Sequence, residues 1–128
     1  MIKEVRERES AAFREGNADR CVALFTDDCV VMAPNGSRIR GLAALRPWLE
    51  AVHERFASSG GHTESDALIV VADWAWELHA VSMAVPKPDG KAATERYRGM
   101  HVYRRQTDGT WRIAQDIWNA AMLRGRAP

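Results

Sequence analysis

Three ionisable residues, Glu9, His101 and Asp116, stand where a proton donor or acceptor would be shielded from water. Glu9 falls on the apolar stripe of a predicted N-terminal helix, where an unpaired carboxylate is costly. His101 shares a predicted strand face with Tyr103, and a histidine in a pocket can change charge near neutral pH. Asp116 lies among apolar neighbours and could act as a general base or orient His101. These residue types indicate acid–base chemistry.

Each of the three also has a structural interpretation. Glu9 could reach solvent at the margin of its stripe. His101 could be a core histidine held by one hydrogen bond, and Asp116 could bind a backbone group or an arginine. The sequence alone leaves both interpretations open.

Tryptophan is abundant, with five residues in the chain. Trp48, Trp76 and Trp118 could wall an aromatic pocket, although core packing is the alternative for each of them. Glu77 and His79 alternate with Trp76 along a predicted strand. We therefore expect them to face away from the Trp76 side, toward solvent or a dimer interface.

Other chemistries lack their sequence signatures. Cys21 and Cys29 are not beside a histidine at zinc-ligand spacing, and the four histidines form no His-x-x-x-His pair. No Gly-rich phosphate loop, dinucleotide fingerprint or nucleophile elbow occurs. We expect no metal site and no cofactor, and we interpret the two cysteines as small buried hydrophobic residues.

Length and composition predict one globular domain over residues 1–128. Apolar residues make up 46% of the chain, which is enough for a hydrophobic core. The net charge of +1 argues against nucleic-acid binding. No apolar run approaches the ~20 residues of a membrane span, and the N-terminus lacks an apolar signal core. We expect a cytoplasmic protein that does not bind membranes.

The first half of the chain predicts helices. Apolar spacing from Ile2 to Phe13 indicates an amphipathic helix, which Gly16 can end in a left-handed cap. Asn17 can cap a second, shorter helix that reaches about residue 25. A short strand is expected at 29–33 and a turn at 34–37. A third helix follows Gly41, bends slightly at Pro47, and ends at 58–61.

The second half predicts strands at 67–72, 76–85, 97–105 and 111–120, which are rich in Val, Ile, Trp and Tyr. Asp89-Gly90 and Asp108-Gly109 mark two hairpin connections. Helices followed by a long antiparallel meander indicate an α+β fold in which the helices pack across one face of the sheet.

Several segments resemble the NTF2-like superfamily, which includes SnoaL-like proteins and ketosteroid isomerases, and most closely its SgcJ/EcaC-type bacterial members. The resembling segments are 15–19 (EGNAD), 24–30 (LFTDDCV), 35–41 (NGS through Gly41), 73–77 (DWAWE) and 103–119 (YRRQTDGTWRI through DIWN). The resemblance implies a cone-shaped, cystatin-like fold. In it a strongly curved antiparallel sheet wraps a long N-terminal helix around an open-ended pocket.

The resemblance to ketosteroid isomerases also implies roles for single residues. Those enzymes use an Asp base with a Tyr and a protonated Asp as oxyanion donors. The base position matches Ala33, which cannot take a proton, so isomerisation by that route is argued against. The Tyr donor matches Glu9. The protonated Asp donor matches His101, counted back from the Asp108-Gly109 turn.

A pocket-lining Trp of those enzymes matches Trp118. Alternation along the last strand then puts Asp116 on the same face, unless a bulge lies between them. We therefore expect His101 and Asp116 to face each other within reach of one hydrogen bond or one water molecule.

Two functions remain open at this stage. The first is a pocket protein that binds a hydrophobic or aromatic small molecule, with Trp118, Trp76, Trp48, Tyr103 and Ala33 as its wall. The second is a cofactor-free isomerase or cyclase that uses His101, Asp116 and Glu9. A dimerisation module with an occluded pocket is a third possibility. We also expect a homodimer, as the resemblance implies, formed through outward strand faces carrying Val81, Val85 or Tyr97.

Overall fold

The computed structural model describes residues 1–34, 36–56 and 62–120, and within them three helices and six strands. In chain order they are α1 (Ile2–Glu15), α2 (Ala18–Val22), β1 (Phe25–Met32), β2 (Ile39–Arg40), α3 (Leu42–Phe56), β3 (His62–Val71), β4 (Trp74–Pro86), β5 (Ala92–Arg105) and β6 (Trp111–Ala120). The α+β class is confirmed. Asn35 of the expected turn and the expected helix end at 58–61 lie outside the described residues.

Local signals set the two N-terminal helices. The helix α1 buries Ile2, Val5 and Ala12 on one stripe, and it ends at Gly16, whose φ of 67° is left-handed. Asn17 caps α2, because its side chain accepts a hydrogen bond from the Arg20 backbone N–H. The helix α2 stops at Val22, so Phe25 belongs to β1 and not to the helix as the sequence suggested.

The third helix, α3, runs through Pro47 without breaking. Among its described side chains, Leu45, Leu49 and His53 are buried, and the two leucines join the core formed by α1, α2 and the sheet. Among the described helices, none combines the length and apolar character needed to cross a bilayer.

The six strands form one curved sheet in the order β2-β1-β6-β5-β4-β3. All neighbours pair antiparallel except β1 and β6, which pair parallel, so the expected antiparallel sheet is corrected at this pair. Register shifts interrupt β1–β6, β3–β4 and β5–β6, and such bulges bend strands and increase their twist. The sheet therefore curves, with α1 contacting the inner side of β3 and β6.

One close approach shapes the inner face. Gly99 of β5 lies between His79 of β4 and Trp118 of β6 in the sheet register. A Cβ atom at position 99 would lie 2.3 Å from the Ile117 carbonyl oxygen and 2.6 Å from the Trp118 Cβ atom. Because those distances are impossible for a real side chain, only glycine at position 99 allows Trp118 to pair opposite it in the sheet.

The outer face of the sheet is apolar and exposed. Trp76 pairs with Ile69, and Trp74 pairs with Val71, so these side chains share one face with Leu78. Each of the five is at least 38% exposed. The expectation that Val81 and Tyr97 lie outward is wrong, since unbroken pairing puts them on the face of His79 and His101. The Val85 side chain lies outside the described residues.

Candidate functional site

The inner face of the sheet carries a row of titratable residues. Glu77 of β4, His101 of β5 and Asp116 of β6 are direct neighbours in the register, and His79 and Tyr103 share their face. All five residues are buried. The helix α1 crosses above this row, and its side chains Arg6 and Glu9 contact Glu77 and His101, respectively. We call these seven residues the polar cluster.

A β-bulge creates the central pair. Tyr103 pairs with Ile113 but Val102 pairs with Gln115, so Ala114 is an extra residue on β6. Unbroken pairing, with Ala114 opposite Val102, would set Gln115 opposite His101. Because Ala114 bulges instead, Asp116 faces His101, and its Oδ1 atom lies 3.3 Å from the His101 Nε2 atom. The predicted approach of His101 and Asp116 is therefore present, and no bulge separates Asp116 from Trp118.

A chain of hydrogen bonds orients the histidine. Arg6 donates to Glu77 Oε2, and the Tyr103 hydroxyl donates to Glu77 Oε1 at 2.6 Å. A carboxylate only accepts, so the Tyr103 oxygen is left to accept the His101 Nδ1–H at 3.1 Å. This arrangement fixes the proton on Nδ1 and directs Nε2 toward the carboxylates of Asp116 and Glu9, each 3.3 Å away.

The burial and charges of the cluster shift its pKa values in opposite directions. Burial raises the pKa of Glu9 to about 7, although the charge of His101 opposes the shift. Burial alone would lower the pKa of His101, but the carboxylates of Asp116 and Glu9 raise it well above its usual range. The charged imidazolium form of His101 is therefore favoured at neutral pH. Glu9, with a pKa of about 7, is the group in the cluster that titrates near neutral pH.

The remaining acids are held ionised. Burial would raise the pKa of Glu77, but His101, the Tyr103 hydroxyl and Arg6 together lower it to about 2. Burial would likewise raise the pKa of Asp116, and the neighbouring charge of His101 holds it below its usual range. Burial raises the pKa of Tyr103, so its hydroxyl remains a hydrogen-bond donor.

The histidine His79 has unused hydrogen-bonding capacity. Its ring stacks on His101 with centroids 4.2 Å apart, and its Nε2 atom lies 3.8 Å from Asp116 Oδ1. Neither ring nitrogen makes a hydrogen bond to any described residue, and His79 is 3% exposed. Within the described ranges, His79, His101 and Asp116 also offer three donor atoms within 4.8 Å of one another, so they could hold a cation.

The predicted aromatic wall is only partly assembled. Trp48 of α3 and Trp118 are half-buried and meet edge to face, with ring centroids 5.9 Å apart. Half-buried Ala33 follows β1, whose Val31 pairs with Asp116, so it lies toward the Trp118 end of the cluster. Tyr103 is fully buried and bonded inside the cluster, and so does not line an open wall.

The placement of Trp76 in the pocket is wrong. Trp76 lies on the outer face, whereas Glu77 and His79 point inward and are buried. The alternation along the strand correctly separated Trp76 from Glu77 and His79. The prediction placed Trp76 inside and the other two residues outside, which is the reverse of the observed arrangement. One signal could have found Glu77 and His79: two titratable residues two positions apart on a strand paired with His101. A groove of about 310 Å³, lined by Arg8, Ala11, Arg20, Ala23 and Leu24, contains none of the predicted site residues.

Comparisons with known proteins give one consistent result. Residues 7–114 match the SnoaL-like domain. A ketosteroid isomerase-like protein from Erwinia carotovora atroseptica is 21% identical with a TM-score of 0.85, covering 95% of each chain. An NTF2-like protein with a cystatin-like fold from Novosphingobium aromaticivorans is 18% identical with a TM-score of 0.78, covering 98% of this chain and 82% of that one.

A proposed dehydratase of the NTF2-like family from Streptomyces avermitilis is 13% identical with a TM-score of 0.77, again covering 95% of each chain. At such identities the structural likeness establishes the fold alone. The search of curated protein sequences finds no match.

Glu9→Gln tests the electrostatics of the cluster in EDTA-treated protein. The folded pKa of Glu9, about 7, lies above the unfolded value near 4.3, so its ionisation destabilises the native state as pH rises through 7. Glutamine mimics the protonated form. We expect urea denaturation to show similar stabilities at pH 5 and a variant more stable by on the order of 2 kcal/mol at pH 8.5.

His101, whose pKa is also raised, loses stability in both proteins as pH rises, and it loses less in Glu9→Gln because Glu9 contributes to that rise. Glu77 and Asp116, with lowered pKa values, lose theirs only at more acid pH. Glu7→Gln, an exposed site on the same helix, is the control and should change nothing. Equal losses of stability in wild type and Glu9→Gln between pH 5 and 8.5 would contradict the buried position of Glu9.

Proposed function

Because the chain belongs to the SnoaL-like domain family of the NTF2-like superfamily, we propose that it binds a hydrophobic or aromatic small molecule where Trp48 and Trp118 meet. One observation carries the proposal: a half-buried tryptophan pair adjoins buried polar groups that make no hydrogen bond, the two nitrogens of His79 and Asp116 Oδ1. A flat ligand could pack on the indoles and direct one oxygen toward those groups.

Two features favour this location. The aromatic pair provides apolar area at one end, and Trp118 lies two residues from Asp116 on the same face of β6. The unpartnered nitrogens of His79 are costly unless a ligand or water meets them. A ligand with a carbonyl or hydroxyl group would provide that partner and gain specificity from it.

Trp118→Ala is the test of this site. Titration of the full chain with 2-naphthol, a flat aromatic alcohol, should quench tryptophan fluorescence, and loss of the Trp118 indole should weaken binding at least about tenfold, the effect of ~1.4 kcal/mol. Trp74→Phe, on the outer face, is the matched control and should bind normally. Equal binding by wild type and Trp118→Ala would locate the ligand elsewhere.

A second candidate is a cofactor-free isomerase or cyclase. The geometry that favours it is the convergence of two carboxylates on one imidazole nitrogen: Glu9 Oε1 and Asp116 Oδ1 both lie 3.3 Å from His101 Nε2. Such a set can remove a proton beside a carbonyl and return it to another atom. Ala33 occupies the usual base position, so the proton would pass to this set instead.

Proton exchange tests the second candidate. With 2-tetralone as probe, wild type in D₂O should accelerate deuterium uptake beside the carbonyl, measured by NMR. Asp116→Asn and His101→Gln should each lower the rate by roughly 10²-fold or more, as for the loss of a general acid or base. Asp27→Asn, an exposed carboxylate on β1, is the control. Ligand binding without acceleration would leave the chain a binding protein.

We also propose that a second copy of the chain covers the outer face. The exposed apolar residues form one patch, with the Arg104 guanidinium over the Trp74 ring at one end, so two copies can pair apolar on apolar. They are Ile69, Val71, Trp74, Trp76 and Leu78. We further propose that the protein is cytoplasmic and that it is one of the SgcJ/EcaC-type bacterial proteins.

Light scattering tests the homodimer. Wild type at micromolar concentration should give twice the chain mass of 14.3 kDa, and Leu78→Asp, which sets like charges opposite each other, should give the single-chain mass. Lys3→Asp reverses a charge at an exposed position on α1, on the other side of the sheet, and should leave the mass unchanged. A wild-type monomer at all accessible concentrations would overturn the proposal.

A further inference from the structure

The polar cluster contains more donor atoms than its own contacts use. His101 Nε2 and Asp116 Oδ1 are 3.3 Å apart, His79 Nε2 is 3.8 Å from the same oxygen, and all three donors lie within 4.8 Å of one another. Two imidazoles with one carboxylate are the ligand set of many zinc and non-haem iron sites. We propose that His79, His101 and Asp116 bind a divalent transition-metal ion of the zinc class.

The spacing of the donors suits such an ion. A tetrahedral zinc ion with bonds of about 2.0–2.1 Å holds its ligand atoms roughly 3.3–3.4 Å apart. The His101–Asp116 separation already has that value. His79 Nε2, which is 3.8 Å from Asp116 Oδ1 and within 4.8 Å of the His101 donor, must move closer to both. Three protein ligands leave one position open, as in catalytic zinc sites.

Unpartnered atoms point to a missing ligand independently of the spacing. In the described part of the chain, both nitrogens of His79 and the Oδ1 atom of Asp116 are buried without a hydrogen bond. A buried polar atom without a hydrogen-bond partner destabilises the folded state, and three such atoms lie in one place. A bound cation would satisfy His79 Nε2 and Asp116 Oδ1 together.

The surroundings supply what a metal-binding histidine needs. Such a histidine normally donates its second N–H to an oriented acceptor, which fixes the tautomer. His101 does so through Nδ1 to the Tyr103 hydroxyl, which in turn donates to Glu77, and Glu77 is held by Arg6. The carboxylate of Glu9, 3.3 Å from His101 Nε2, adds negative charge beside the proposed ion. This chain of contacts presets Nε2 as the metal-facing atom.

The inference shares His79 and Asp116 with the proposed ligand site, but the two proposals are tested separately. The 2-naphthol titration is run on EDTA-treated protein, whereas metal binding is measured without any organic ligand. Failure of either measurement therefore leaves the other one interpretable.

The experiment adds Zn²⁺ or Co²⁺ to the EDTA-treated full chain. Calorimetry should give one Zn²⁺ per chain, and Co²⁺ should show the intense visible bands of a tetrahedral N/O site. His79→Gln and Asp116→Asn should lower zinc affinity by more than the roughly 10–100-fold that follows loss of an outer partner. Glu77→Gln should fall within that 10–100-fold range. His53→Gln, a buried histidine outside the cluster, should bind as wild type does.

A measurement on wild type alone protects the test against variants that fail to fold. In ¹⁵N-resolved imidazole spectra, Zn²⁺ should shift the Nε2 resonances of His79 and His101 and leave those of His53 unchanged. No saturable binding, or unshifted His79 and His101 resonances, would overturn the proposal. So would a Co²⁺–thiolate band lost in His53→Gln, since it would locate the ion at the Cys21 and His53 pair, whose sulfur and Nε2 atoms lie 3.7 Å apart.

Discussion

The ion pair between Arg6 and Glu77 is the contact on which the site depends. It joins α1 to β4 across the inner face, with the carboxylate fully buried. Removing either partner from a buried pair typically costs about 3–5 kcal/mol, because the other charge is left unpaired. The same carboxylate accepts the Tyr103 hydroxyl proton, and so keeps a proton on His101 Nδ1 in either charge state. Helix position, tautomer and charge are thus coupled through one side chain.

The faces of the sheet reverse the usual distribution of polarity. Glu77, His79 and His101 are enclosed beneath a helix, while Trp74 and Trp76 lie at the surface. Enclosed charges require the mutual neutralisation seen in the polar cluster, and exposed indoles require a cover. Both the proposed chemistry and the proposed assembly follow from this reversal.

The sequence predicted the local features well. Gly16 and Asn17 end and start helices through contacts made within a few residues, and the α+β order follows from hydrophobic periodicity. The parallel pairing of β1 with β6 joins segments about eighty residues apart, and no short-range pattern encodes it. The error at Trp76 has a similar origin. Alternation tells which residues share a face, but only the distant helix α1 decides which face is covered.

The pairing of His101 with Asp116 shows the value and the limit of resemblance. Counting from the hairpin alone gives Gln115 as the partner, because a turn specifies register only until the first bulge. The resemblance of Trp118 to a pocket residue gave the correct face instead. Neither the counting nor the resemblance predicted that Arg6, Glu77 and His79 complete the polar cluster. Their contacts depend on how α1 packs on the sheet.

The extra residue in β6 has an evolutionary consequence. Loss of the single codon for Ala114 would remove the bulge and leave Val102 opposite Gln115 and His101 opposite Asp116, as they are now. The inner row would keep its charges, while the strand would lose the bend and the extra twist that the bulge gives it. Proteins built on this scaffold can therefore change the curvature of the sheet by insertion and deletion within a strand and still retain the chemistry of its inner face.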